Sequence, residues 1–216
     1  MGRCVPASRV NPSTQQFIRE RLVLAPLPFR PDVSLYRPTP KSGLISWLTE
    51  QARADEPPYW AYAWAGGAVL ALHLVSHPEL VANKTVLDFG AGGGLVAIAA
   101  AKAGATVTAF EPDPIGRAAI ALNAEANGVS IAISDAIVEA EVVLAGDVFY
   151  DAEVTTATLS ALSRMAAQGK RVLVGDPFRR NLPLDHLELI AEYRVPDFGS
   201  DAPIRSGVFA LKPPKP

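Results

Sequence analysis

The chain has 216 residues, 49% of them hydrophobic, with 20 basic and 22 acidic side chains and a net charge of −2. That length fits one domain with an N-terminal extension, and the near-balanced charge, without runs of Lys or Arg, argues against a nucleic-acid-binding surface. No apolar run reaches the ~18 residues of a membrane span, and the single cysteine, Cys4, excludes an internal disulfide and fits a reducing compartment.

The N-terminus lacks the apolar core of a secretory signal; its arginines (Arg3, Arg9, Arg19, Arg21) leave an organellar presequence open. Asn11-Pro12 reads as a helix cap followed by proline at the first helical position, predicting a short helix over Ser13–Leu22. Residues 25–40, APLPFRPDVSLYRPTP, hold five prolines and cannot form a regular helix; they read as an extended lid or wrap. Ser42 is placed to cap a helix whose Leu44, Ile45, Trp47 and Leu48 share one apolar face. The organisation expected is an extension or lid over 1–55 and a single domain over 56–216.

Residues 57–67, PPYWAYAWAGG, carry four large aromatics in six positions: Tyr59, Trp60, Tyr62 and Trp64. Two readings are open. The patch packs on the core, or it rims a pocket in which Trp64 offers its ring face to a cation. Gly66-Gly67 then opens a helix over Ala68–Ser76. His73 and His77 lie one turn apart on it, without a third ligand in view, so no metal site is expected.

Thr85–Glu111, TVLDFGAGGGLVAIAAAKAGATVTAFE, is a strand, a glycine loop, an alanine-rich helix and a second strand: one βαβ unit. Its acids, Asp88 and Glu111, stand at strand C-terminal ends, where open parallel sheets bind ligands. A dinucleotide loop, G-x-G-x-x-G, would place its third glycine where this chain has Leu95. The observed Asp88-x-Gly90-x-Gly92-x-Gly94 resembles instead the first motif of class I S-adenosylmethionine (SAM) methyltransferases. The cofactor carries no phosphate, and Gly90 and Gly92 let backbone approach it closely. The resemblance implies that Asp88 orders the loop and helps hold the methionine ammonium, and that Glu111 accepts both ribose hydroxyls. For this unit alone a nicotinamide cofactor is the alternative, because Glu111 also sits near the ~20-residue offset of a ribose-binding acid.

Asp113-Pro114 starts a helix that Asn127-Gly128 closes. A strand over Ile131–Ser134 delivers Asp135, either to reach an adenine amino group or to serve as an ordinary loop acid. Glu141–Ala145 is the next strand and runs into Gly146-Asp147-Val148-Phe149-Tyr150-Asp151. A helix over Val154–Gln168, a strand over Arg171–Val174 and two β-rich runs, Leu187–Val195 and Ser206–Leu211, complete the chain. The order predicts an α/β, Rossmann-like, seven-stranded sheet with helices on both faces and a C-terminal antiparallel hairpin; the resemblance of the glycine loop implies that this is the class I methyltransferase sheet.

Methyl transfer from a sulfonium needs a nucleophile that is positioned with its lone pair free. A lysine amine, with its pKa near ~10.4, is mostly protonated at neutral pH, so the site must lower that value or accept the proton. Asp147 and Tyr150, following a strand, can grip N–H bonds and cover a methylene stem. They resemble the Asp-x-x-Tyr motif of seven-β-strand protein lysine methyltransferases; a strand-end turn with Tyr150 in the core is the plainer alternative. PPYWAYAWAGG, VLDFGAGGGLVAIAA, FEPDP, GDVFYD and GDPFRRNLP, in that order, resemble the electron transfer flavoprotein β-subunit lysine methyltransferase family, whose members are also labelled nicotinamide N-methyltransferase-like. The resemblance covers roughly residues 16–212. It implies that Trp64, Asp88, Gly90, Glu111 and Asp135 hold SAM, that Asp147 and Tyr150 flank an acceptor lysine, and that the partner is the electron transfer flavoprotein β-subunit, in the cytoplasm or, in a eukaryotic source, the mitochondrial matrix. Phe89 and Phe110 are bulkier than the pattern suggests, and 196–205 is less charged. A small-molecule amine methyltransferase and a non-catalytic SAM-binding module are the competing functions.

Overall fold

Alternation of apolar residues along the strands sends two sets of side chains to opposite faces of one sheet. We describe residues 12–197 and 200–212 from a computed structural model; Cys4 and the Asn11 cap lie outside these residues. The N-terminal part contains α1 (Pro12–Arg21), β1 (Val23–Leu27), β2 (Arg30–Arg37) and α2 (Leu44–Glu50), then a single helical turn at Tyr59–Ala61. The remainder runs α3 (Ala65–Ser76), β3 (Thr85–Phe89), α4 (Leu95–Lys102), β4 (Thr106–Phe110), α5 (Pro114–Ala126), β5 (Ala132–Ser134), β6 (Val142–Gly146), α6 (Ala152–Ala167), β7 (Arg171–Asp176), β8 (Leu187–Asp197) and β9 (Ser200–Leu211).

The main sheet has seven strands in the order β5-β4-β3-β6-β7-β9-β8. β5 through β7 pair in parallel, and β9 and β8 add the antiparallel hairpin. Val86, Val107, Leu144 and Leu173 pack against α3 and α4 in one core. Leu87, Val143, Ala145, Val172 and Val174 point the other way and meet Ala161 and Leu162 of α6. Between β5 and β6 the chain crosses as a loop, residues 135–141, without a helix.

Residues 23–37 pair antiparallel as a second, two-stranded sheet, which the proline count did not predict. Proline bars a helix but is tolerated in an edge strand, and a β-hairpin is an extended chain with a partner. Leu27, Val33 and Leu35 are buried in the main core. The open edge of β2 is satisfied by α5: Asn127 Oδ1 accepts the Ser34 N–H at 2.9 Å and Asn123 Oδ1 accepts that of Tyr36 at 2.8 Å. Asn123 Nδ2 donates to the Gly93 carbonyl at 2.8 Å, so one buried amide ties hairpin, helix and glycine loop together. α2 is preceded by Gly43 at φ 66°; Ser42, expected as its cap, instead accepts the Thr39 N–H at 2.9 Å.

Candidate active site

The C-terminal ends of β3, β4 and β6 open onto a cavity of about 370 Å³. Asp88, the glycine loop and Glu111 line one side; Trp64, Asp147 and Tyr150 line the other, with Leu35 of the N-terminal hairpin also on the wall. Six of the predicted positions beyond Asp88 and Glu111 can be placed from here: Gly90, Gly92, Trp64, Asp147 and Tyr150 are on the wall, and Asp135 is not.

Asp88 is 1% exposed, and its Oδ2 accepts the Ala97 N–H in the first turn of α4 at 2.9 Å. Burial pushes its carboxyl up to about 7, against the pull of that N–H. The loop that follows turns back on β4: the N–H groups of Gly90 and Ala91 both donate to the Phe110 carbonyl at 3.0 Å. Gly90 and Gly92 take φ of 71° and 54°, a region other L-residues enter at a cost. Glu111 Oε2 accepts the Gly92 N–H at 2.7 Å and Oε1 that of Asp113 at 2.9 Å. Burial raises its carboxyl, and these two backbone donors oppose the rise. A carboxylate has about four acceptor positions, so Glu111 keeps capacity for two hydroxyl donors. Phe89 and Phe110 meet at 5.2 Å between centroids, and both line the cavity.

Asp147 follows β6 with φ 57°, an uncommon backbone state for a non-glycine residue. Its Oδ2 accepts the N–H groups of Gly66 and, at 3.2 Å, Gly67, the first turn of α3. Its Oδ1 accepts Arg179 Nε at 2.8 Å and Nη2 at 2.6 Å. Burial raises this carboxyl; the Arg179 charge and hydrogen bonds pull it back. All four acceptor positions are therefore filled. The Gly66 pair is fixed by packing, since a Cβ on Gly66 would lie 2.2 Å from the Gly175 carbonyl oxygen. Arg179 is the movable partner. It is also 3.6 Å from Asp197 and 5.8 Å from the centre of the Trp64 ring, so two further resting places surround it.

The aromatic block forms the mouth. Tyr59 packs on Tyr150 at 4.7 Å and on Trp64 at 5.9 Å, and Trp64 Nε1 donates to the Tyr59 carbonyl at 2.8 Å. Tyr150 is 42% exposed, not a core residue, so a long side chain can reach it from outside. Burial of its hydroxyl raises its pKa. Asp135 stays off the wall for a local reason: β5 ends at Ser134, whose Oγ accepts the Ala136 N–H at 3.0 Å and leaves Asp135 exposed at the tip of that turn.

Arg179 lines this cavity, with Asp176 behind it accepting its backbone N–H at 2.6 Å, and neither stands out in the sequence. A signal existed. Gly146-Asp147-x-Phe149 and Gly175-Asp176-x-Phe178 are the same pattern at the ends of two neighbouring strands.

The sheet order, the acid-flanked glycine loop and the acid after β6 define a class I SAM-dependent methyltransferase. A methyltransferase domain model matches residues 63–200. The chain is 34% identical over 180 residues to the electron transfer flavoprotein β-subunit lysine methyltransferase of Rattus norvegicus, covering 77% of this chain and 70% of that protein. It is 32% identical over 202 residues to the Homo sapiens protein of the same name, covering 87% and 77%. The chain belongs to this methyltransferase family. In fold it is similar to a solved ribosomal protein L11 methylase from Lactobacillus delbrueckii subsp. bulgaricus, with a TM-score of 0.51 and 20% identity over 70% of this chain and 81% of that one. The cavity fits the cofactor this class uses: one buried acid for an ammonium, one with two free acceptor positions for a diol, and close-lying glycine backbone between them.

Proposed function

We propose that the protein is a SAM-dependent protein-lysine N-methyltransferase and that its substrate is the electron transfer flavoprotein β-subunit. The observation that carries this reading is the single cavity with Asp88, the glycine loop and Glu111 on one side and Asp147 beside the exposed Tyr150 on the other. Bound SAM supplies an electrophilic methyl group on a sulfonium. In this reading Asp88 meets the ammonium, Gly90 and Gly92 the adjoining backbone-lined space, and Glu111 the ribose hydroxyls. Trp64 turns an aromatic face toward positive charge. Asp147 and Tyr150 hold the acceptor amine: Arg179 yields acceptor positions on Asp147, and enclosure among the rings of Tyr59 and Tyr150 lowers the amine's pKa. Exposure of Tyr150 favours an acceptor on a protein chain over an enclosed small molecule. The family membership supports the named partner, and the lone Cys4 supports a reducing setting, the cytoplasm or a mitochondrial matrix. Among the described residues no helix is long and apolar enough to cross a membrane.

Radiolabelled SAM added to a cell extract, divided into protein and small-molecule fractions, tests the proposal, with Asp147→Ala as control. Label on one protein band, lost in the variant, is the expected result. Label confined to small molecules would replace the reading with a small-molecule amine methyltransferase. No label in either fraction, from a protein that binds SAM by calorimetry, would make it a SAM binder without this chemistry.

A further inference from the structure

A second cavity, of about 310 Å³, lies next to the first, and Tyr62 lines both. Its walls come from the N-terminal hairpin (Val23, Leu27, Phe29, Arg37) and the C-terminal hairpin (Pro196, Asp197). Most of this lining is apolar, and Arg37 brings the one cation to it. Arg37 Nε is buried and has no hydrogen-bond partner. Among the described residues, the other guanidiniums that are not fully exposed each hold an acceptor: Arg30 holds Asp32, Arg53 holds Asp113, Arg117 the Glu111 and Pro112 carbonyls, and Arg179 holds Asp147. Asp197, on the same wall, does not serve Arg37. It accepts the Ala65 N–H at 3.0 Å and faces Arg179 at 3.6 Å.

A buried, unpartnered charged donor destabilises a fold unless something outside the fold completes it. The complement of a half-buried guanidinium at the wall of such a cavity is a carboxylate, which the guanidinium N–H groups bind through paired hydrogen bonds while the apolar walls take the methylene stem. We infer that this cavity, with Arg37 at its wall, is a substrate subsite that receives the side chain of a Glu or Asp close in sequence to the acceptor lysine. The inference rests on the protein-lysine reading above. Tyr62 lines both cavities, and an extended chain advances about 3.3–3.6 Å per residue, so the acid is sought within about four positions of the lysine. Arg37 is thus a specificity-determining residue: it touches the substrate chain and none of the reacting atoms.

The test is a charge swap on the acceptor protein labelled in the extract assay. Each acidic residue within about four positions of its labelled lysine is changed to lysine, one at a time. One of these changes raises KM for the wild-type enzyme about tenfold with kcat little altered, and Arg37→Glu restores most of the loss for that acceptor alone. Arg37→Met raises KM for the unaltered acceptor to a similar extent, keeps SAM affinity by calorimetry, and melts at or above the wild-type temperature; a merely structural role for Arg37 would lower the melting temperature instead. Lack of any acid in that window, or a KM unmoved by Arg37→Met in an enzyme that still binds SAM, overturns the subsite and leaves the lysine reading standing. Label confined to small molecules overturns both.

Discussion

β6 and β7 run side by side and end in the same pattern, Gly-Asp-x-Phe, with Gly146 and Gly175 as register partners. The two aspartates nevertheless differ in almost every property. At the first end the backbone turns at Asp147 itself, which swings its carboxylate onto the α3 N-terminus and into the cavity, where four N–H groups meet it. At the second the left-handed turn comes two residues later, at Phe178 with φ 62°. Asp176 therefore stays in the strand, 0% exposed, with Oδ1 accepting the Arg179 N–H at 2.6 Å and Oδ2 unpartnered. Burial, with Asp147 nearby, pushes Asp176 up to about 7. One pattern thus yields a cavity-side acid held by exchangeable partners and a buried post that folds Arg179 back toward it. The position of the turn decides which.

The largest break in this comparison is Asp147→Ala. Transfer should fall by about 10²–10⁴-fold, the range for a lost proton-handling group, with SAM affinity by calorimetry nearly unchanged. Gly66→Ala attacks the seat of the same acid. Its Cβ would press on the Gly175 carbonyl and on Asp147 Oδ2, so overpacking costs about 1–3 kcal/mol in denaturant unfolding, with activity reduced alongside. Arg179→Ala sharpens the comparison by making Asp147 resemble Asp176. Without the arginine's charge the Asp147 carboxyl rises further, so the acid limb of the kcat/KM profile moves to higher pH; activity drops severalfold at neutral pH and recovers above it. An unmoved limb would show that Arg179 does not govern Asp147.

The smallest effect is expected at Asp176→Asn. The folded-state value of Asp176, about 7, lies above the ordinary 3.8. Between those values the folded chain holds a proton that the unfolded chain has released, so stability is highest below the ordinary range and declines as pH rises toward about 7. Asparagine removes that slope and flattens the stability profile. Asp88, raised to about 7 by burial, contributes a slope of the same sign, so part of it persists. Activity at the pH optimum should change little.

The glycine loop was legible because everything it needs is local: the acid, the glycines and the second acid lie within Thr85–Glu111, and Asp88 caps the helix nine residues on. Asp113 likewise caps its own helix, accepting the Ile115 N–H at 2.9 Å. The misses are non-local. Arg179 reaches Asp147 from the end of the neighbouring strand, a contact no spacing along the chain encodes. The hairpin over 23–37 required knowing that Asn123 and Asn127 would satisfy its edge. Hydropathy misleads there as well, since Val23 and Leu24 are exposed while Arg30 is buried against the Ala71 carbonyl of α3 at 2.5 Å. Asp135 does follow the end of β5 at Ser134, as read from the sequence, but the loop closes on the Ser134 hydroxyl and leaves Asp135 off the cavity wall.

The C-terminal hairpin is longer than the strand it rests on. β9 pairs with β7 only at 207–210, where Asp176 faces Gly207, yet β8 and β9 stay paired from Leu187 with Leu211 out to Asp197 with Ser200. The outer half therefore stands beyond the catalytic edge by six or seven residues of β9, roughly 20 Å at ~3.3 Å per residue. Among the described residues it meets the reaction site through Asp197, at the helix start and at Arg179. A lever of that length is pinned to the site at one carboxylate, so Asp197 couples any movement of the overhang to Arg179 and, through it, to Asp147.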